Sequence, residues 1–182
     1  MPTLYPSWLH AALTSLHFTT FCATLAFFHI SEFTLAYVYM RDELSWRSWL
    51  VSRDYVLALA AGVAEYLAEW WAWPQIKHSR LPWALGISAV VMGEALRKTG
   101  MLTAKDSFTH AVQFRRKPSH RLVTHGVYAV ERHPGYVGWL LWAVGTQLLL
   151  GNPLSCIAFY CIATRFFRYG DNRGVYDWFA VL

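Results

Sequence analysis

Residues 120–139 read HRLVTHGVYAVERHPGYVGW, and this stretch says most about the architecture of the chain. Its first part is rich in His, Arg and Tyr, and it leads directly into a run without charge that extends from Tyr136 to Thr164. A helix needs about 20 apolar residues to cross a bilayer, so this run is too long for one straight span. The stretch therefore predicts a polar site at the mouth of a membrane.

The uncharged run is interrupted once, by Gly151-Asn152-Pro153. These three residue types together are typical of a turn. We therefore predict a helical hairpin with arms over Tyr136–Leu150 and Leu154–Phe167. A single helix kinked at Pro153 is the competing interpretation, since a proline inside a helix bends it.

Composition extends the membrane interpretation to the whole chain of 182 residues. The sequence is 55% hydrophobic and 17% aromatic, with ten Trp and ten Tyr, and its mean hydropathy is +0.25. Trp and Tyr are enriched where membranes meet water. Three more segments are long and apolar, and they cover Ala11–Met40, Tyr55–Trp73 and Leu81–Leu96, the last extendable to Leu102. The fold class predicted is an all-α membrane protein, a single membrane domain over residues 1–182 with about five transmembrane helices.

The distribution of charge predicts the topology. The net charge is +5, but no long Lys/Arg stripe is present, so we do not expect nucleic-acid binding. If the hairpin returns to its starting side, all 16 cations except Lys77 and Arg80 share one side of the membrane. The positive-inside rule makes that side cytosolic. The cytosolic side then carries residues 103–132, the one segment long and polar enough to form a site.

Acidic residues within the apolar segments predict ion pairs. Glu65 and Glu69 lie one helical turn apart on one face, and Glu94 has the spacing to pair with Arg97 and Lys98. Carboxylates inside a bilayer are costly and usually face a partner or a cavity. We expect pairing between helices rather than a direct catalytic role.

The polar segment itself offers two interpretations. Its histidines lack the close spacing of a metal site, so no metal is expected. Pro134 suits the first turn of a helix, whose N-terminus can bind an anion, and Gly135 would let a ligand approach the backbone. An ordinary helix start with interfacial aromatic residues explains the same stretch equally well, and the residues alone leave both open.

A family resemblance favours the binding interpretation. The pattern His-x-Leu-Val-x-x-Gly-x-Tyr, followed by Arg-His-Pro-x-Tyr-x-Gly, resembles the cofactor-binding signature of the isoprenylcysteine carboxyl methyltransferases. Other matching stretches follow in the same order, over roughly Phe28 to Arg168. They are His29-Ile-Ser-Glu-Phe33, Gly93-Glu-Ala-Leu-Arg-Lys98, Met101-Leu-Thr-Ala104, Phe108-Thr-His110, Gly145-Thr-Gln147 with Asn152-Pro153, and Arg165-Phe-Phe-Arg168.

The resemblance implies a reaction, a cofactor and a location. Members transfer a methyl group from S-adenosylmethionine to the carboxylate of a C-terminal prenylated cysteine, in the endoplasmic reticulum membrane. The implied substrates are prenylated CaaX-type proteins or prenylcysteine. No catalytic residue is assigned, because the carboxylate is already ionised and needs no general base. The residues implied to bind the cofactor are Gln113, His120, Arg121, Leu122, Val123, Tyr128, His133, Pro134, Gly135 and Tyr136.

The sequence departs from the family pattern in residues 169–182. Gly170 stands where the family has an arginine for the substrate carboxylate, and no glutamate follows Glu131. We therefore expect a truncated or divergent member with weak affinity for the cofactor and little activity. The alternatives are a non-catalytic isoform or membrane interaction subunit, and a related phospholipid methyltransferase or sterol reductase.

Overall fold

The computed structural model of the chain describes residues 6–41, 44–108 and 122–171, with side chains described as far as residue 165. Every regular element in those ranges is a helix, as the sequence predicts. The long elements are α1 (Ser7–Thr14), α2 (Leu16–Tyr39), α3 (Arg53–Ala72), α4 (Arg80–Ala104), α5 (Pro134–Leu150) and α6 (Pro153–Asp171). Within the described ranges, α2 alone is long and apolar enough to cross a membrane by length and composition, so the number of crossings stays a prediction.

The first apolar segment is not one continuous helix, which corrects the prediction for Ala11–Met40. It is divided at Ser15, where α1 ends and α2 begins. The Ser15 hydroxyl accepts a hydrogen bond from the Phe18 amide at 3.1 Å and also bonds the Tyr66 hydroxyl at 2.7 Å. A serine in this N-cap position satisfies an amide that the helix leaves without a partner. The break is thus set by local capping and by contact with α3.

The C-terminal hairpin is confirmed, and the kinked single helix is wrong. Gly151 ends α5 in the left-handed conformation, with φ 67°. The Asn152 amide reaches back to the Gln147 carbonyl at 3.0 Å, and Pro153 starts α6. A left-handed glycine followed by a reverse hydrogen bond is a common helix end, because glycine adopts positive φ without a steric penalty.

Helices α4 and α5 pack along a seam of glycines and form the most extensive helix contact described. Gly86, Gly93 and Gly100 recur every seven residues on α4, and Gly138 and Gly145 do so on α5. Added Cβ atoms at these positions would meet atoms of the facing helix. Small residues let helix backbones approach closely in membrane proteins. The seam holds the start of α5 against the end of α4, where the site lies.

The acidic residues of α3 hold the hairpin turn, as their predicted pairing role requires. Glu65 accepts hydrogen bonds from the first amides of α6, at Leu154 and Ser155, over 2.8 and 2.7 Å. Glu69 pairs with the buried Lys77. The Lys77 ammonium also donates to the carbonyls at the end of α5. These contacts lie at the end of the bundle opposite to residues 126–136, and we call them the turn cluster.

The second group of charges lies inside the bundle rather than in a loop. Arg97 and Lys98 belong to α4 and both pair with Glu32 of α2, and Lys98 also lies 3.3 Å from Glu94. The Glu94–Lys98 pair predicted from the sequence is confirmed. The charge asymmetry that predicts the topology therefore rests on the cations outside these pairs.

Candidate functional site

The start of α5 carries the most specific part of the sequence motif. Pro134 is the first residue of α5, and the His133 carbonyl accepts the amides of Tyr136 and Val137 at 3.0 Å each. The Glu131 carboxylate accepts the His133 amide at 2.9 Å. Proline at this position suits a helix start, because it removes an amide that would lack a partner. The hydrogen bonds of His133 complete this helix start. They hold the two half-buried rings of His133 and Tyr136 with their centroids 6.0 Å apart.

The segment before α5 folds back onto the end of α4. Gly126 begins a short 3₁₀ helix, Gly126–Ala129, at φ 61°, and a Cβ there would lie 3.2 Å from the Thr103 side chain. The half-buried Tyr128 donates its hydroxyl to the Gly100 carbonyl at 3.4 Å. A Cβ on Gly100 would in turn lie 3.1 Å from the Pro134 ring. Tyr128 and the start of α5 therefore meet at the same turn of α4.

Arg97 connects this end of the bundle to α2. Its Nε and Nη2 atoms each donate to a different Glu32 carboxylate oxygen at 2.8 Å. Its Nη1 atom donates to the Gly135 carbonyl at 2.9 Å. The guanidinium carbon lies 5.7 Å from the Phe28 ring centre and 5.8 Å from that of Phe108. A two-point arginine–carboxylate contact fixes orientation as well as charge, so this group is held from three sides.

Burial raises the pKa of the Tyr128 phenol to about 12, although the nearby Arg97 opposes the shift. The phenol is therefore neutral at physiological pH and can donate a hydrogen bond, but it cannot serve as a base there.

The candidate cofactor residues differ in how deeply the structure buries them. Tyr128, His133 and Tyr136 are half-buried, whereas Pro134 and Gly135 are buried. A Cβ at Gly135 would lie 3.0 Å from the Phe108 ring, so this glycine permits close packing against that ring. Val123 is half-buried and Leu122 is exposed. Gln113, His120 and Arg121 lie outside the described residues. The cofactor-binding role of all these residues stays a prediction.

Two residues that matter here received no role in the predictions made from the sequence. Glu32 is completely buried and binds Arg97 and Lys98, and its signal was visible as the one acid in the first apolar segment. Trp142 is buried against Phe28, with ring centroids 4.0 Å apart, and its indole N–H has no hydrogen-bond partner in the described part of the chain. No sequence signal separates Trp142 from the other tryptophans.

The described helices form a bundle with ion pairs between α2 and α4 and with His133 and Tyr136 at the start of α5. A family model described as the isoprenylcysteine carboxyl methyltransferase family matches residues 84–171. Protein-S-isoprenylcysteine O-methyltransferase B of Arabidopsis thaliana is 44% identical over 144 residues, which cover 79% of this chain and 73% of that protein. The chain belongs to the isoprenylcysteine carboxyl methyltransferase family.

Two further relatives agree. The Homo sapiens protein-S-isoprenylcysteine O-methyltransferase is 40% identical over 154 residues, which cover 84% of this chain and 54% of that protein. The solved structure of a eukaryotic intramembrane Ras methyltransferase of this family superposes with a TM-score of 0.83 at 34% identity, covering 90% of this chain and 61% of that one. The family prediction is confirmed, and the alternatives are not favoured. The chain spans about half the length of the human relative.

The sequence-based prediction of weak cofactor affinity and low activity rests on residues 169–182. Residues 172–182 lie outside the described residues, and the side chain at position 170 is not described. That prediction therefore stays a prediction.

Proposed function

We propose that this chain transfers a methyl group from S-adenosylmethionine to the carboxylate of a C-terminal prenylated cysteine. The observation that carries the proposal is the convergence of Tyr128 and the His133–Tyr136 turn on the last turns of α4, in a member of this family. We place the chain in the endoplasmic reticulum membrane as a multi-pass protein, with residues 103–132 on the cytosolic side. We propose prenylated CaaX-type proteins as the substrates, as for the relatives of this family, and a lipid tail could enter between helices from the bilayer.

The described side chains fit the proposed cofactor chemically. S-Adenosylmethionine, when bound, supplies a methyl group on a positively charged sulfur. Aromatic faces attract cations, and Tyr136 and His133 present two rings beside each other at the start of α5. Tyr128, neutral at physiological pH, adds polar hydrogen-bonding capacity. We assign Leu122, Val123, Tyr128 and residues 133–136 to this binding site, together with Gln113, His120 and Arg121.

The buried N–H of Trp142 is the described donor best suited to the substrate carboxylate. A buried donor without a partner is unfavourable, and a ligand that accepts from it removes that cost. Trp142 stacks on Phe28, and the Arg97 guanidinium carbon lies 5.7 Å from the centre of that same ring. A carboxylate at this position would accept the indole N–H of Trp142. Orientation and exclusion of water are then the contributions of the protein to the rate.

The reaction is tested with purified protein in lipid vesicles, using farnesyl-cysteine and isotopically labelled S-adenosylmethionine. Two proteins are compared: the chain as written, and a version carrying the C-terminal segment of the Arabidopsis relative in place of residues 169–182. We expect base-labile methyl ester from the second and a lower rate from the first. Absence of methyl ester from both would overturn the proposal. Turnover of amine lipids or dependence on a nicotinamide cofactor would identify the alternative enzymes instead.

The role of Trp142 is tested by Trp142→Phe in the active version. Loss of a hydrogen bond to a charged group lowers kcat/KM by roughly tenfold or more. We expect that loss with an unchanged dissociation constant for S-adenosylhomocysteine. Trp139→Phe is the matched control, since Trp139 is half-buried on the same helix. Equal effects of the two substitutions would exclude a specific role for the Trp142 N–H.

A further inference from the structure

Glu32 lies on α2, away from the motif that defines the candidate cofactor site, yet it is linked to that site by a continuous set of hydrogen bonds. Its side chain is completely buried. One carboxylate oxygen accepts from Arg97 Nε and from Lys98, and the other accepts from Arg97 Nη2. Both oxygens are therefore engaged by cations of α4. A carboxylate bound this way fixes the plane of the guanidinium group.

The remaining contact of that guanidinium group reaches the start of α5. With Nε and Nη2 held by Glu32, Arg97 Nη1 points to the Gly135 carbonyl at 2.9 Å. The aromatic rings of Phe28 and Phe108 lie within 6 Å of the same guanidinium carbon, at 5.7 and 5.8 Å. The guanidinium group thus joins three helices at one point: α2 through Glu32, α4 through its own backbone, and α5 through Gly135.

We propose that Glu32 is a positioning residue, which orients Arg97 so that the first turn of α5 presents His133 and Tyr136 to the cofactor. The Gly135 carbonyl lies between these two residues in the sequence, so a shift of this carbonyl moves both rings. The identity of the ligand that the turn binds rests on the proposed function. The coupling between Glu32 and the turn does not depend on that function. Glu32 acts on the turn through Arg97, which binds both Glu32 and the Gly135 carbonyl.

The turn cluster provides a matched control at the other end of the same helices. Glu69 is also a carboxylate paired with a buried cation, Lys77, and that cation donates to the carbonyls of Leu150 and Gly151. Glu32 and Glu69 therefore brace opposite ends of α5 in the same way. A substitution at either position leaves a buried cation without its carboxylate partner, so a general loss of stability affects both variants.

Amide hydrogen exchange of the ligand-free chain in detergent, resolved by mass spectrometry, tests the coupling directly. In Glu32→Gln we expect exchange at the amides of Tyr136 and Val137 to accelerate about tenfold, with no change around Gly151 and Asn152. In Glu69→Gln we expect the reverse pattern. Glu32→Asp, which keeps the charge, restores part of the protection. Unchanged exchange at 136–137 in Glu32→Gln, or equal acceleration there in Glu69→Gln, would overturn the proposal.

Arg97→Lys keeps the experiment decisive if Glu32→Gln does not fold. A lysine retains the charge but cannot engage Glu32 at two points and the Gly135 carbonyl together. We expect the same local acceleration at 136–137, and protection equal to that of the parent chain would again contradict the proposal.

Kinetics separate this inference from the proposed function. In the active version, Glu32→Gln should raise KM for S-adenosylmethionine by about tenfold while KM for farnesyl-cysteine stays within about twofold. If Glu32→Gln accelerates amide exchange at residues 136–137 but the parent of the active version transfers no methyl group, the proposed function is wrong and the positioning role stands. A uniform fall in kcat with both KM values unchanged would remove the positioning role and leave the proposed function intact.

Discussion

Gly93 and Gly138 bring the backbones of α4 and α5 into direct contact, since a Cβ added to either would lie 2.6 Å from the carbonyl oxygen of the other. We predict that Gly138→Ala destabilises the protein by about 1–3 kcal/mol, because the facing atoms are backbone and cannot rotate away. The Cβ would also lie 2.7 Å from the Arg97 amide. Thermal unfolding in detergent, followed by circular dichroism, measures the change.

Ser88→Ala on α4 is the control for the glycine seam. Ser88 is exposed and its hydroxyl bonds only the carbonyl one turn earlier, at Ala84. Its replacement should alter the free energy of unfolding by less than about 0.5 kcal/mol. A melting temperature for Gly138→Ala equal to that of Ser88→Ala would contradict the close approach of the two helices.

Lys77→Met should destabilise the hairpin turn. The substitution leaves the Glu69 carboxylate and the last carbonyls of α5 without their cation. Removal of one partner of a buried pair costs about 3–5 kcal/mol, and we expect the lower part of that range because Glu69 is partly exposed. Lys77→Met combined with Glu69→Leu should recover part of the loss, as measured by chemical unfolding. Additive losses in the double variant would argue against the pairing.

Glu65→Gln should weaken the start of α6. The carboxylate of Glu65 accepts the amides of Leu154 and Ser155 and places a negative charge at a helix N-terminus. We expect a loss of about 1–2 kcal/mol and faster exchange of those two amides. Asp54→Asn, in the first turn of α3 and exposed, is the comparison and should change stability by a few tenths of a kcal/mol. Equal effects would show that Glu65 acts only through surface charge.

Tyr128 should titrate above the ordinary pKa of a tyrosine, because its phenol is partly buried. Its pKa is about 12 in the folded chain against 10.0 without burial, so stability from the neutral phenol is complete below about pH 10 and is lost as pH rises toward 12. The difference in tyrosinate absorbance at long ultraviolet wavelength between the parent and Tyr128→Phe should therefore appear with a midpoint near 12. A midpoint near 10 would mean that Tyr128 is exposed to water.

Helix positions and the polar site segment followed from local sequence patterns. The apolar lengths, the Gly151-Asn152-Pro153 turn and Pro134 at a helix start each depend on residues close together in the chain, and the structure confirms the hairpin they predict. The division at Ser15 was missed. A serine in an apolar segment becomes an N-cap only when its surroundings support the break, and here Tyr66 of α3 bonds the same hydroxyl.

The helical class, the family and the segment that carries the motif could all be predicted from the sequence, because hydrophobic runs and motif spacing are properties of neighbouring residues. The sequence also predicts that the buried acidic residues pair with cations. Which cations they bind depends on the packing of the helices. Arg97 could have paired with Glu94 on its own helix, yet it binds Glu32, 65 residues away. That choice depends on how closely α2, α4 and α5 approach, and the glycine seam between α4 and α5 sets part of that distance. Because Arg97 is buried among three helices, it also contacts the Gly135 carbonyl, and no local sequence pattern specifies that contact.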